Sequence, residues 1–303
     1  MTAAQIMRPK LTYIGTKVQK FWKKLLSAKL SVKLYLPVRQ RMIMAKIDIG
    51  SIVKKKFGGF PEFLIPALER FIHQDFINGF LEQGYEGVEF CRRCLDYLDV
   101  NIEVRGMENL PDGPCTVVSN HPLGGIDAVA LMAIVGERYS GNIRLLANDF
   151  LMNISGLAPM LVPVNKIGAQ SADLKDRVDA MFSGGCQAVV FPSGKVSRKR
   201  GKVIEDQDWK PTFLRKSLQY GRCIVPVHFY GRNSWRFYAL DRIAVMLRCR
   251  FPLAMALLPD ELYRSRGETF SIVIGKPVPA AGFDASRTVR GWAEWLRQTV
   301  YSL

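Results

Sequence analysis

The chain has 303 residues, of which 48% are hydrophobic and 23% charged, enough for one large α/β domain or two smaller ones and too apolar for a disordered protein. Its six cysteines follow no regular spacing, which is typical of reduced thiols in a cytosolic protein rather than of a disulfide framework. No secretory signal is visible, and no apolar run reaches the roughly 18 residues of a membrane-spanning helix, so any contact with a bilayer is expected at its surface.

The formal net charge of +16 lies almost entirely at the N-terminus. Residues 1–56 hold 14 Lys or Arg and a single acid, Asp48, whereas the rest of the chain carries a net charge of only +3. Within this arm, residues 14–26 have the periodicity of an amphipathic helix, which could not continue beyond Pro37. One face of the helix is apolar and the other is basic: Ile14, Val18, Phe21, Trp22, Leu25 and Leu26 against Lys17, Lys20, Lys23 and Lys24.

The basic arm favours two interpretations, and the sequence leaves both open. It either anchors the protein on anionic lipids or packs its apolar face on its own domain. Its aromatic residues lie on the apolar face instead of alternating with the cations, so no nucleic-acid partner is expected. A third alternative is that Met42 or Met44 is the true start, because the pattern after Lys46 already has the features of a complete domain.

Residues 61–99 have helical periodicity, and after residue 115 short apolar runs alternate with amphipathic stretches. This alternation predicts an α/β layered domain with a largely parallel central sheet flanked by helices, preceded by an N-terminal helical segment. We divide the chain into a basic arm (1–43), a helical segment (44–110) and a C-terminal domain (111–303) on which that helical segment packs. The predicted strands are 115–119, 143–147, 161–164, 188–191, 223–229 and 270–274, and the predicted helices are 125–137, 171–183, 211–220, 234–247 and 286–301.

Residues 151–164 form an uncharged stretch that is too short to span a bilayer. Such a stretch is either buried core or an apolar lip that enters lipid. We expect its end, residues 161–164, in the core and leave the rest open.

The segment from Ser119 to Asp127 has the features of a catalytic loop. Its sequence is Ser-Asn-His-Pro-Leu-Gly-Gly-Ile-Asp and it comes directly after a predicted strand, where open α/β sheets bind ligands. Gly124 and Gly125 allow a sharp turn, and amides near Gly125 are candidate donors to a tetrahedral oxyanion. Asp127 would begin the next helix and bind one nitrogen of His121, which would leave the other nitrogen as a general base.

Three further strand regions carry polar or unusual residues. Asn165 and Lys166 come directly after the predicted strand 161–164. Residues 191–198, Phe-Pro-Ser-Gly-Lys-Val-Ser-Arg, offer hydroxyls, cations and amides that suit an anionic head group, although a solvated basic turn is the alternative. Residues 225–227, Val-Pro-Val, lie in a strand whose ladder the proline interrupts.

Other chemistries are disfavoured. No Gly-x-Ser-x-Gly elbow is present to suggest a covalent intermediate. Cys91 and Cys94 have the spacing of a metal or redox pair, but no second pair exists, so we expect helix thiols and neither a metal nor a cofactor. The Ser193–Lys195 segment lacks the Ser or Thr and the upstream Gly of a nucleotide-binding loop.

The segment from Ser119 to Asp127 and the three further strand regions form four sequence blocks. In this order and spacing, the blocks resemble the glycerolipid acyltransferases of the lysophosphatidic-acid acyltransferase type over most of the chain. In that family the first block is Asn-His, four residues, then Asp, and the histidine deprotonates the acceptor hydroxyl that attacks an acyl thioester. Asn120, His121 and Asp127 match this block, with one extra residue in the loop. The family's Phe-Pro-Glu-Gly-Thr-Arg-Ser block binds glycerol phosphate and corresponds to residues 191–198. The resemblance therefore implies that the acceptor is bound by Ser193, Gly194, Lys195, Ser197 and Arg198. We add Asn165 and Lys166, which follow the predicted strand 161–164, as further acceptor contacts.

Two departures from the family pattern, the inserted residue and Ser193 in place of Glu, weaken the case for a standard glycerol-3-phosphate or lysophosphatidate acceptor, so we expect the acceptor to be either lysophosphatidate-like or an N-acyl amino acid. The pattern is similar to the bacterial branch that O-acylates N-acyl amino acids to give ornithine-type or glycine-type lipids. The resemblance implies a peripheral or monotopic enzyme at the cytoplasmic face of an anionic membrane, with a lyso-lipid acceptor and acyl carrier protein or acyl-CoA as donor. The alternatives are a thioesterase-like hydrolase and a non-catalytic basic membrane-binding protein.

Overall fold

The computed structural model describes residues 46–48, 50, 62–164, 172–247 and 253–303. The predicted arm helix and the residues Asn165 and Lys166 lie outside the described residues, so their roles remain predictions.

The described helices and strands occur in an order that alternates β and α through the second half of the chain. They are α1 (Ile65–Phe71), α2 (Gln74–Leu81), α3 (Gly87–Tyr97), β1 (Asn101–Arg105), β2 (Cys115–Ser119), α4 (Ile126–Arg138), β3 (Ile143–Asn148), β4 (Leu161–Val164), α5 (Ala172–Ser183), β5 (Gln187–Val190), β6 (Arg198–Arg200), β7 (Val203–Glu205), α6 (Thr212–Gln219), β8 (Cys223–Tyr230), α7 (Trp235–Met246), α8 (Leu258–Arg264), β9 (Thr269–Ile274) and α9 (Val289–Tyr301).

The chain divides into two compact units. The first contains the described residues up to Gly84 together with Ser234–Tyr263, and the second contains Tyr85–Asn233 and Arg264–Leu303. All nine described strands belong to the second unit. The boundary that the sequence suggested at residue 110 falls inside this second unit.

Seven strands form the central sheet in the order β1-β9-β8-β2-β5-β3-β4, while β6 and β7 form a separate hairpin. Among the described strands of the central sheet, β8 and β9 pair antiparallel and every other neighbouring pair is parallel. Strand β2 is buried along its whole length, as expected for a central strand covered on both faces. The predicted α/β class with a largely parallel sheet is confirmed.

The main core cluster lies where β2, β5 and β8 meet the helices α5, α6 and α9. Its largest members include Phe182, Phe213 and Trp209, with Leu296 and Val300 contributed by α9. Burial of such side chains is the main stabilising term of the fold and holds the central strand ends in fixed positions.

A close helix–helix contact forms the other well-packed region. A Cβ at Gly136 of α4 would approach Val88 of α3 to 2.4 Å, so only glycine allows this spacing. Leu161 and Val162 of β4 are buried, which confirms the expectation that the end of the uncharged stretch is core. Among the described residues, no helix has both the length and the apolarity to cross a bilayer.

The described cysteines are free thiols. Cys91 and Cys94 are buried in α3, where burial raises the pKa of the Cys94 thiol to about 12. Both thiols are therefore core side chains of α3.

Candidate active site

The candidate site begins where the central strand β2 ends. His121 lies two residues beyond β2, and Asp127 lies in the first turn of α4. Gly124 adopts a φ of +79°, a left-handed conformation that turns the chain between strand and helix. The turn brings His121 Nδ1 within 2.9 Å of Asp127 Oδ2. The extra loop residue therefore does not prevent the two side chains from meeting.

Asp127 is fully buried and accepts hydrogen bonds from its own loop. The amides of Leu123 and Gly124 donate to Oδ2 at 2.9 and 3.2 Å, and the amide of Ala128 donates to Oδ1 at 2.9 Å. Burial by itself raises the pKa of this carboxyl, but His121 and the loop amides outweigh it and lower the pKa below its usual value. An ionised carboxylate only accepts, so Nδ1 of His121 is the donor and carries the hydrogen.

The ring of His121 is held on its other side by Phe191, the first residue after β5. The two rings stack with centroids 4.3 Å apart, and the His121 side chain is 16% exposed. Because Nδ1 faces Asp127, Nε2 is the nitrogen available to take a proton from a substrate hydroxyl.

Asn120 and the two glycines shape the loop around the histidine. The Asn120 side-chain amide donates to the carbonyl of Phe229 and accepts from its amide, at 2.9 and 2.7 Å, which ties the end of β2 to β8. Asn120 therefore fixes loop geometry. Leu123 and Gly124 direct their amides at Asp127, whereas the Gly125 amide donates to no atom of the described chain and remains the candidate oxyanion donor.

The loop after β5 lies against the histidine loop, because the Ser197 amide donates to the His121 carbonyl at 2.8 Å. Its predicted acceptor-binding side chains are mostly turned into the loop itself. The buried Ser193 hydroxyl donates to the Lys195 carbonyl at 2.7 Å, and the buried Arg198 guanidinium donates to the Val196 carbonyl at 2.8 Å.

Gly194 and Lys195 form the turn of this loop, and the Lys195 side chain points to solvent instead of into the loop. Gly194 adopts a φ of +60° at the turn, and Lys195 directly after it is exposed. Lys195 is thus the side chain of the loop best placed to meet an anion from solvent, while Ser193, Ser197 and Arg198 hold the loop in shape in this state.

Asp206 joins the two loops, and no sequence motif pointed to it. Its buried carboxylate accepts from the His121 amide at 3.1 Å, the Ser197 hydroxyl at 2.6 Å and the Trp209 indole N–H at 3.0 Å. Its own amide donates to the Tyr301 hydroxyl at 2.7 Å. Burial raises the pKa of Asp206 above its usual value, against the opposing effect of these hydrogen bonds. Asp206 is therefore a positioning residue for the histidine loop.

The other two histidines lie elsewhere in the fold. His228 is within β8, where burial lowers its pKa to about 4 and its ring stacks on Tyr230. His73, in the first unit, contacts Asp260 at 2.9 Å and stacks on Tyr263. Among the described residues, no cluster of three or more His, Cys, Asp or Glu has the arrangement of a metal site.

Comparison with known proteins adds an independent line of evidence. A family model described as "Acyltransferase" matches residues 51–303. Two curated proteins named lyso-glycine lipid O-acyltransferase, from Phocaeicola vulgatus and Bacteroides thetaiotaomicron, are 45% and 44% identical over 264 residues. Each alignment covers 85% of this chain, with 95% and 97% of the respective relative.

A solved structure, the crystal structure of the 1-acyl-sn-glycerophosphate (LPA) acyltransferase PlsC from Thermotoga maritima, aligns with a TM-score of 0.44 at 17% identity. The alignment covers 98% of this chain and 96% of that chain. The fold of this chain is described by the strand order of its central sheet.

Proposed function

The chain belongs to the acyltransferase family, and on that premise we propose that it transfers a fatty acyl group from an acyl thioester to the hydroxyl of a lyso-lipid with an amino-acid head group. The observation that carries the proposal is the His121–Asp127 pair at the carboxyl end of the central strand. A base fixed there by a fully buried carboxylate is suited to deprotonating a hydroxyl.

The proposed reaction is a direct transfer. Nε2 of His121 takes the proton of the acceptor hydroxyl while its oxygen attacks the thioester carbonyl. The negative charge of the tetrahedral intermediate develops near the Gly125 amide at the start of α4, where a helix N-terminus favours it. Collapse of the intermediate breaks the carbon–sulfur bond, and the imidazolium returns its proton to the departing thiolate.

The proposed acceptor is a lyso-glycine lipid, the substrate in the names of the two relatives. Ser193, where the lysophosphatidate-type pattern has Glu, supports an acceptor that differs from lysophosphatidate. The exposed Lys195 offers a cation to a carboxylate, and Ser197, Arg198, Asn165 and Lys166 remain further proposed contacts.

We propose in addition that transfer takes place at the cytoplasmic face of a membrane that contains anionic lipids. The charge of +13 carried by residues 1–56 supports this location, since each cation near an anionic surface contributes about 1 kcal/mol. The donor is acyl carrier protein or acyl-CoA.

The proposal is tested with purified protein in detergent, with lyso-glycine lipid and lysophosphatidate as acceptors and acyl carrier protein or coenzyme A thioesters as donors. Mass spectrometry measures the diacyl product. We expect lyso-glycine lipid to be acylated at least as fast as lysophosphatidate. Exclusive use of lysophosphatidate would contradict the amino-acid acceptor, and fatty-acid release that is equally fast without acceptor would support the thioesterase-like alternative.

A further inference from the structure

Helix α7, in the first unit, exposes large apolar side chains on the side that faces away from its own unit. Trp235 is 78% exposed, Ile243 45% and Met246 74%, and the partly buried Ala239 lies between them. These residues are spaced by four, four and three positions, so they share one helical face, here named the α7 outer stripe.

The opposite side of α7 is apolar as well, because it belongs to the core of the unit. Phe237, Tyr238 and Ala244 are buried there. At the start of the helix, the amide and hydroxyl of Ser234 both donate to the carboxylate of Glu261, at 2.7 and 2.5 Å. The helix is therefore fixed to its unit by its inner side and by Ser234 at its start.

A surface helix of a soluble protein usually turns polar residues outward, and contiguous exposed apolar residues mark an interaction surface. Two more apolar side chains are exposed at the end of α7, Val245 at 70% and Leu247 at 45%. An apolar stripe that ends in an apolar turn fits a partner that is itself apolar and extended.

The charges that the sequence carries in and directly after α7 favour an anionic partner. Between residues 236 and 250 the sequence has four arginines and one acid, Asp241, and one of these arginines, Arg236, is paired with Asp260 at 3.2 Å. Arg242 is exposed beside the stripe, and Arg248 and Arg250 come after the helix in sequence. Arginines next to an apolar face suit anionic lipid head groups, whereas a second copy of the same surface would bring like charges together.

We propose that the α7 outer stripe lies in the head-group–acyl boundary of an anionic bilayer, with the helix parallel to the membrane plane and Trp235 at the interface. Surface helices that expose Trp and Arg beside apolar side chains can lie at this boundary without crossing the membrane. The proposal rests on the proposed function, because a lyso-lipid acceptor is taken from such a surface, and it assigns membrane contact to a second region besides the basic arm.

The test measures partition of the full chain onto vesicles of phosphatidylglycerol and phosphatidylcholine in equal parts. The double variant Ile243→Ser/Met246→Ser should lower the partition coefficient by about tenfold or more, since each side chain loses the transfer of its apolar surface. The matched control is Val203→Ser, which removes a 57% exposed valine from β7 in the other unit. When two regions of one chain bind the same vesicle, their contributions to the partition coefficient multiply. The ratio of the partition coefficients of the double variant and the wild-type chain therefore reports the stripe even if the basic arm also binds.

A second measurement locates the helix in the bilayer. Fluorescence quenching by brominated lipids is compared between the wild-type chain and Trp235→Phe, and the difference should show Trp235 in contact with lipid. Equal vesicle binding of the double variant and Val203→Ser, or no quenching difference, overturns the proposal. So does a change of oligomeric state in the double variant without lipid while vesicle binding is kept, because the stripe would then join two copies.

The outcome is separable from that of the proposed function. Acyl transfer is assayed in detergent, where the double variant should match the wild-type chain. Failure of transfer by the wild-type chain refutes the function and leaves the vesicle result standing, whereas normal transfer with unchanged vesicle binding refutes the stripe alone.

Discussion

The described residues contain two histidine–aspartate pairs with the same nitrogen-to-oxygen distance of 2.9 Å, His121–Asp127 in the second unit and His73–Asp260 in the first. In the first of these pairs, the carboxylate accepts three further hydrogen bonds from amides of the preceding loop and of the first turn of α4. In the second, Arg236 contacts the other carboxylate oxygen at 3.2 Å, and the His73 ring stacks flat on Tyr263.

The nitrogen-to-oxygen distance therefore does not distinguish the two pairs, whereas the other partners of each carboxylate do. Neutral amides hold the Asp127 charge in place without cancelling it, so His121 experiences the carboxylate field. A guanidinium within the His73–Asp260 pair compensates the same charge. The two pairs also differ in location, because His121 lies at the end of a central strand, close in sequence to the Gly125 amide.

The largest expected effect comes from removing the imidazole of His121. His121→Asn should lower kcat by about 10²–10⁴-fold, the usual contribution of a positioned base. The matched variant His73→Asn removes the other paired imidazole and should leave kcat within about twofold. Steady-state rates in detergent, with thermal unfolding as a check on folding, make the comparison. Equal losses for both variants would remove the basis for assigning the base to His121.

Removing the carboxylates should separate catalysis from stability. Asp127→Asn should lower kcat by about 10²-fold or more with little change in the acceptor KM, because the neutral amide no longer holds the required tautomer. Asp260→Asn should instead lower the thermal midpoint through the lost contacts with His73 and Arg236 and leave kcat nearly unchanged. A pure KM effect at Asp127 would point to a substrate contact instead.

Because the pKa of Asp127 is lowered, the stability that its carboxylate contributes should depend on pH. A depressed carboxyl pKa contributes stability that is fully present above the unfolded value, near about 4, and is lost as pH falls through the folded value. The difference in thermal midpoint between the wild-type chain and Asp127→Asn should therefore shrink as pH is lowered from about 6 to about 3. A difference that is constant over this range would contradict the assignment of an ionised Asp127.

The smallest effect is expected in the loop after β5. Lys195→Ala should raise the acceptor KM by about three- to tenfold and leave the donor KM nearly unchanged, since an exposed cation contributes modestly. Arg198→Ala is the comparison. If Arg198 contacts the acceptor, its acceptor KM should rise more than the donor KM. If the buried guanidinium only holds the loop, both KM values should change equally and the thermal midpoint should fall.

Much of the fold was predictable from the sequence because the central strands are continuous apolar runs. Strand β2 is buried at every position, and β5 is too. Strand β1 was missed because it lies at the sheet edge, where partly buried and exposed residues alternate over only five positions. The β6–β7 hairpin was missed because its first strand is Arg-Lys-Arg, which has no apolar periodicity.

The candidate site was predictable only where its contacts are short in sequence. His121 and Asp127 are six residues apart, so strand, glycine turn and helix start were enough to bring them together. Asp206 contacts the His121 amide from 85 residues away, and no local pattern reports such a contact. The inward orientation of Ser197 was unpredictable for the same reason, because its hydroxyl partner is this same Asp206.

The contacts of Asp206 also restrict which substitutions can accumulate in relatives of this protein. One carboxylate accepts from Ser197 and Trp209, and its amide donates to Tyr301 in the last turn of α9. A change at any of these positions leaves a buried donor or acceptor without a partner, so neutral drift at one of them is blocked unless another changes with it. Homologous sequences should therefore show correlated substitution among these positions, and a lineage that alters its C-terminal helix should also alter the loop beside His121.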